Sequence, residues 1–177
     1  MRQTSVGEIR VRARPGRPSQ GWLIAGPLRM PVALGRSGIR ADKREGDGGT
    51  PRGRFRPIRL WWRADRLLRP RTALPTRHIA PDDAWCENPH DRRYNRAVRR
   101  SAKETGDRLI RADHLYDMIV EIDHNTRPRI AGRGSAVFIH VARPAFAPTA
   151  GCVALRAGDL RNLLAHLTPK TTILIGI

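Results

Sequence analysis

Two side chains in this sequence have the types and spacing for nucleophilic catalysis. An apolar, β-branched run, Val137-Phe138-Ile139, delivers His140, and twelve residues later Gly151-Cys152 opens a second apolar run, Val153-Ala154-Leu155. A thiol attacks as its thiolate, so it needs a base within hydrogen-bond reach and a rigid support under both groups. A strand ending on His140, a turn, and Cys152 at the start of a second strand meet that need. Gly151 lets the backbone turn sharply and expose the sulfur, and the amides of Gly151 and Cys152, with that of Ala150, are the expected oxyanion donors. His140 would take the thiol proton and return it to the leaving amine. The alternative for each is structural: buried cysteines are usually inert, and a histidine after an apolar run is often only a satisfied core residue.

The elements that must position this pair follow from local patterns. Val6, Ile9 and Val11 alternate through Ser5–Ala13, which predicts a short edge strand, and Arg14–Gln20 reads as a loop. Trp22–Ala25 and Met30–Leu34 predict a hairpin around Gly26-Pro27, and Phe55–Trp62 a further strand. Residues 35–53 hold six glycines and read as loop. The segment from Leu67 to Asn95, with four prolines, is irregular, and a long irregular insertion in a compact domain is usually functional or mobile. Asp91–Glu104 suits a short helix; Leu115–Ile122, Ala136–Ala142 and Thr171–Ile177 suit strands. Leu160, Leu163, Leu164 and Leu167 recur at i, i+3, i+4 and i+7, which predicts a helix over Asp159–Leu167 capped by Gly158 or Asp159 and closed by Pro169. The fold class expected is mainly β, a mixed sandwich or open barrel with one or two short helices, in a single domain over 1–177 whose residues 1–20 form a basic strand and loop.

These residues also resemble a known family. Ile139-His140 followed by Thr149-Ala150-Gly151-Cys152-Val153 is similar to the catalytic motif of the L,D-transpeptidases, the YkuD-type domain. Gly46-Asp47-Gly48-Gly49-Thr50-Pro51-Arg52-Gly53-Arg54-Phe55 resembles the family's Gly-Asp-Gly-x-Thr-Pro-x-Gly-x-Phe loop. The likeness runs from about Trp22 to the C-terminus. Ala150 stands where the commoner motif has a second histidine, Ala154 where it has arginine, and the loop between His140 and Cys152 is shorter than in many members. The resemblance implies the same β-rich fold and a cysteine acyltransferase acting on peptidoglycan stem tetrapeptides. Cys152 would attack the carbonyl of the third, diamino-acid residue and expel D-Ala. An amine would resolve the thioester as a 3-3 cross-link, and water as an L,D-carboxypeptidase product. It further implies that the Val141 carbonyl orients the His140 ring, that the Asp47–Phe55 loop is a structural hairpin near the cleft, and that a carbapenem acylates Cys152. Arg143 is placed to meet a substrate carboxylate and Arg156 less directly; Tyr94, Asn95 and Asn125 are polar candidates for the cleft wall, with loop hydrogen bonding as the alternative for each.

Composition bounds the rest. The chain has 177 residues, enough for one domain with a proper core. Its formal charge of +18 would draw polyanions, and a non-enzymatic basic module for nucleic acid or an anionic wall polymer is the competing class. The basic residues are spread rather than clustered and aromatics are only 5%, so nucleic acid is not expected as a partner. Cys86 and Cys152 are read as free thiols. Cys86 and His90 make half a zinc site with no second close pair, so no metal and no cofactor is expected. No apolar run approaches a membrane span. Met1–Ser19 is polar and Arg-rich, unlike a secretory signal, which predicts a cytoplasmic enzyme unless export follows another route to the periplasm or wall. The oligomeric state is open.

Overall fold

The structure is a computed structural model and describes residues 5–100 and 106–177. The strands are β1 (Glu8–Arg14), β2 (Arg17–Ala25), β3 (Leu28–Ala33), β4 (Ile39–Arg40), β5 (Thr50–Pro51), β6 (Gly53–Phe55), β7 (Pro57–Trp62) and β8 (Thr76–His78). They continue as β9 (Asp83–Trp85), β10 (Ala97–Arg99), β11 (Asp107–Arg108), β12 (Met118–Ile122), β13 (Phe138–Val141), β14 (Val153–Leu155) and β15 (Thr172–Ile175), with a single α-helix, α1 (Ala157–His166), among the described residues. Ten strands form one mixed sheet in the order β6-β15-β1-β2-β3-β14-β13-β12-β7-β8; β10-β9-β11 and β4-β5 form small separate sheets. The fold is mainly β, as the sequence predicts.

The middle of the large sheet is buried on both faces, which is why its strands read as nearly continuous apolar runs. Alternate residues go to different cores. Val137, Ile139 and Val141, with Val153 and Leu155, join the larger cluster under α1, where Leu160, Leu163, Leu164 and Leu167 are all 0% exposed. Phe138 and Cys152 face the opposite way, into a second cluster with Trp61, Trp85, Tyr116 and Ile119. There, edge-to-face contacts join Trp85 to Phe138 (4.9 Å) and Trp61 to Trp85 (6.4 Å). The irregular segment after β7, carrying β8 to β11, covers this second face.

Several local expectations change. The first strand is not an edge: β1 lies between β2 and the C-terminal β15, which pairs with it in parallel, a long-range contact that local alternation cannot announce. Arg14–Gln20 is not a loop, because Pro15-Gly16 alone makes the turn and β2 begins at Arg17. Arg14 pairs with Arg17 and Ala13 already with Gly21, so residues 18–20 bulge away from β1, and Pro18 needs no ladder donor there. Of the expected helix over Asp91–Glu104, residues 91–100 form turns and β10, held against β9; residues 101–104 lie outside the described residues. Residues 114–116 form a 3-10 turn before β12, and α1 begins at Ala157 with Arg156 at its N-cap position and no side-chain cap. Asp159 instead sits in the first turn, where its charge suits the helix dipole. The Asp47–Phe55 loop is not a hairpin: its β5 pairs in parallel with β4, Ile39 with Thr50, and its β6 pairs with β15. Among the described residues no helix is long and apolar enough to cross a membrane.

Candidate active site

β13 and β14 run in parallel side by side, with His140 paired to Ala154 and Ile139 to Val153. Cys152, one residue before β14, therefore lies level with Phe138. His140 is two residues further along β13 and points to the same face. Strand spacing and rise put such a diagonal pair roughly 8 Å apart between Cα atoms, within reach of the two side chains. Both line one cleft of about 440 Å³.

His140 is 6% exposed. Its Nδ1 lies 2.8 Å from the Val141 carbonyl, so Nδ1 carries the proton and donates, leaving the Nε2 lone pair for a base. The Tyr116 ring stands edge-on to the imidazole at 5.4 Å. Burial, together with the Arg111 and Arg143 charges, outweighs the Val141 hydrogen bond and pushes the imidazole down to about 4. Cys152 is 8% exposed. Its Sγ accepts from the Phe138 amide at 3.3 Å and donates to the Ala136 carbonyl at 3.2 Å. Burial pushes the thiol up to about 12; Asp107 and Glu87 push the same way, against the Phe138 N–H and the Lys43 charge. The resting pair is therefore neutral thiol and neutral imidazole, because desolvation of two buried groups exceeds their mutual benefit.

The turn into Cys152 depends on its glycine. Gly151 has φ +144°, and a Cβ there would stand 2.8 Å from the Gly49 carbonyl oxygen. Thr149 braces the turn: its hydroxyl donates to the Cys152 carbonyl at 2.7 Å and accepts the Gly151 amide at 3.1 Å. That occupies one of the three amides expected to hold an oxyanion. The amides of Ala150 and Cys152 have no partner among the described residues.

Among the residues singled out from the sequence, Cys152, His140, Gly151 and Arg143 come together in the cleft. Arg143 is exposed at its rim and makes no ion pair among the described residues. Arg156 is turned away, stacked on Phe146 at 5.2 Å. Tyr94 and Asn125 do not line the cleft. Tyr94 is 3% exposed and donates its hydroxyl to the Glu45 carboxylate. Asn125 braces its own loop through Nδ2 to the Ile130 and Gly134 carbonyls, at 2.9 and 3.0 Å.

Asn95 does not line the cleft either and acts behind it instead, and the structure adds acidic and basic residues that the sequence did not single out. Asn95, 4% exposed, is saturated: Oδ1 accepts from Trp85 Nε1 (2.9 Å) and the Ala136 amide (3.2 Å), while Nδ2 donates to the carbonyls of His124 (3.1 Å) and Asn125 (2.9 Å). Ala136 has φ +50°, a strained conformation for a residue with a Cβ, and its carbonyl is the one that receives the Cys152 S–H. Asn95 thus fixes the backbone that aims the sulfur. One cleft wall is acidic: Glu87 is exposed as a residue, yet the surrounding wall desolvates its carboxyl and, with Asp107 and Glu45, raises it to about 7. The glycine-rich loop, which supplies Glu45, also brings Arg36 and Lys43 to the same cleft. Both cysteines are free, and Cys86 is 1% exposed away from the cleft. Among the described residues no group of three or more His, Cys, Asp or Glu side chains is arranged to hold a metal.

A buried thiol and a backbone-oriented imidazole on one face of a mixed sheet, with free amides at the turn, define a cysteine enzyme of the acyl-transfer kind. Residues 24–175 match the L,D-transpeptidase catalytic domain, YkuD, and the chain belongs to that family of cysteine enzymes acting on peptidoglycan. No curated protein and no solved structure matches it.

Proposed function

We propose that the protein is an L,D-carboxypeptidase that trims free peptidoglycan stem tetrapeptides at their terminal D-Ala, with Cys152 as nucleophile and His140 as base. The observation that carries this reading is the shared cleft: the Cys152 sulfur, the proton-free Nε2 of His140 and the unclaimed amides of Ala150 and Cys152 all meet there. Since both groups rest neutral, the Cys152 proton moves to Nε2 as sulfur closes on the carbonyl of the third residue. The developing oxyanion finds the two amides. As the C–N bond breaks, Nε2 returns the proton to the amine of D-Ala, leaving a thioester on Cys152. Arg143, unpaired at the rim, meets a stem carboxylate and fixes the register.

Water then resolves the thioester. A cleft of about 440 Å³ suits one stem terminus rather than two docked stems. Water at about 55 M prevails over an amine unless a groove supplies a comparable effective molarity. The test is product mass after incubation with a tetrapeptide stem, alone and with added D-amino acids. Tripeptide plus D-Ala from wild type, and nothing from Cys152→Ala, is the expected result. Cross-linked dimers or D-amino-acid exchange prevailing at low acceptor concentration would replace the hydrolase with a transpeptidase; turnover by Cys152→Ala would remove the nucleophile.

A further inference from the structure

The glycine-rich loop does more than shape the cleft edge. Its lysine, Lys43, is one of three among 34 basic residues in a chain that otherwise uses arginine. Lys43 lines the cleft, yet its side chain is only 8% exposed. Its Nζ is held from outside the cleft by Asp47 Oδ1 (2.6 Å) and the Arg44 carbonyl (2.5 Å). An ammonium has three N–H donors, so one is left over. Asp47 is built to keep this grip, since it also accepts the amides of Arg44 (2.8 Å) and Gly49 (2.7 Å). Burial opposes its charge, but those three hydrogen bonds hold its carboxyl below the ordinary range.

The grip sets the cation beside the turn that carries the nucleophile. A methyl group on Gly151 would lie 3.6 Å from Lys43 Cε, and one on Gly134 would lie 3.1 Å from its Cγ. A straight four-carbon stem fits between these two glycines, and the wider guanidinium of arginine would crowd them. The charge is also needed there. Asp107 and Glu87 face the sulfur and oppose a negative charge on it, whereas Lys43 and the Phe138 amide favour one. Around the imidazole stand Arg111, Arg143 and Asp113. Thr149 has already claimed the Gly151 amide, so the oxyanion position is short of one donor.

We infer that Lys43 is a further functional residue of this cleft: its ammonium, pinned by Asp47, stabilises the negative charge that passes from the Cys152 sulfur to the substrate carbonyl oxygen. This rests on Cys152 being the nucleophile. It assigns the Gly-Asp-Gly loop an electrostatic task besides its structural one.

Iodoacetamide labelling of Cys152, followed by intact mass across pH, tests it with Lys43→Gln and Asp47→Asn. If the cation acts on the sulfur, Lys43→Gln slows labelling at pH 9 about threefold: one unit of thiol pKa leaves about tenfold less thiolate, and its greater basicity returns part of that. Asp47→Asn keeps an amide oxygen on Nζ beside the Arg44 carbonyl but strips the cation of its counter-charge, so it labels as fast as wild type or faster. Turnover of the stem should fall in Lys43→Gln by more than labelling does, because the oxyanion loses the same charge. A wild-type pH profile in Lys43→Gln overturns the inference. So does equal slowing by both variants with a matched loss of melting temperature, which marks a structural latch. If Lys43→Gln does not fold, Asp47→Asn decides alone, and slower labelling counts against the cation. Stem turnover that persists in Cys152→Ala condemns the nucleophile rather than Lys43.

Discussion

Raising the pH should switch on Cys152 far later than it does for an ordinary cysteine. Burial holds the thiol up near about 12, against a reference of 9.0. At neutral pH this leaves about a thousandfold less thiolate than in an unfolded cysteine. Thiolate nucleophilicity rises with basicity by about 0.4–0.5 log units per pKa unit, which returns roughly a factor of 20–30. The net expectation is alkylation by iodoacetamide roughly 30–50-fold slower than for a cysteine peptide, before any loss from the limited exposure of the sulfur. The observed rate should climb about tenfold per pH unit through pH 10 without a plateau. In concentrated urea both Cys86 and Cys152 should react at the free rate, which shows that the slowness belongs to the fold. A plateau below pH 8, or labelling of native Cys152 faster than the peptide at pH 6, would mean a preformed thiolate–imidazolium pair and would refute the reasoning. Turnover carries the companion signature: with His140 depressed to about 4, kcat/KM should not fall from pH 7 down to pH 5, where an ordinary imidazole would already be protonated, and neutralising Glu87 over that range removes a charge that opposes the sulfur's.

Three further outcomes follow from particular contacts. Asn95→Ala leaves the Trp85 indole, the Ala136 amide and two carbonyls without partners, so urea unfolding should show a loss of about 3 kcal/mol or more. Gly151→Ala forces a side chain into a φ of +144° and against the Gly49 carbonyl, so turnover should collapse while unfolding reports about 1–3 kcal/mol of strain. Because His140 titrates near about 4 when folded and 6.5 otherwise, the unfolded chain binds the extra proton between those values; stability should therefore fall by about 3 kcal/mol as pH drops from 6.5 to 4, and His140→Gln should lack that share of the slope in melting temperature.

What the sequence displays locally, the structure largely keeps. The leucine spacing of α1 and its C-cap, Leu167, puts four leucines at 0% exposure, and the hairpin around Gly26-Pro27 joins β2 to β3 with Leu23 paired to Met30. The His140 and Cys152 runs become adjacent strands because each is apolar on both faces, a pattern that a two-sided sheet demands. The losses come from distance. β1 has the alternation of an edge strand and becomes interior only because β15, at the other end of the chain, lies against it. The helical spacing seen after Asp91 yields to β10, which gains a ladder with β9. The acidic wall was hidden for the same reason: Glu87 and Asp107 come from strands of the small sheet and its approach, separated from Cys152 by most of a cleft-forming segment. Lys43 and Asn95 did leave traces, a lone lysine inside an arginine-rich loop and an asparagine in the middle of an irregular stretch. Neither trace says which backbone group the side chain would meet.

The neutral resting pair follows from where the fold puts it. Cys152 and His140 point into the second core of a sheet that is packed on both sides, the part of the molecule where an isolated charge is most costly. A cysteine that rests as thiolate is open to any electrophile or oxidant, and susceptibility follows thiolate character and exposure. Here the S–H is parked on the Ala136 carbonyl, and the Nε2 lone pair has no partner among the described residues. Charge separates only when a carbonyl arrives to receive the electrons from sulfur and the amides of Ala150 and Cys152 receive the oxygen. The strain at Ala136 and the four hydrogen bonds of Asn95 maintain that parked state. With Cys152 as the proposed nucleophile, thiol reactivity should follow substrate occupancy, and the contacts that set it, Asn95 to the Ala136 amide and the Ala136 carbonyl to the sulfur, lie outside the Thr149–Val153 motif.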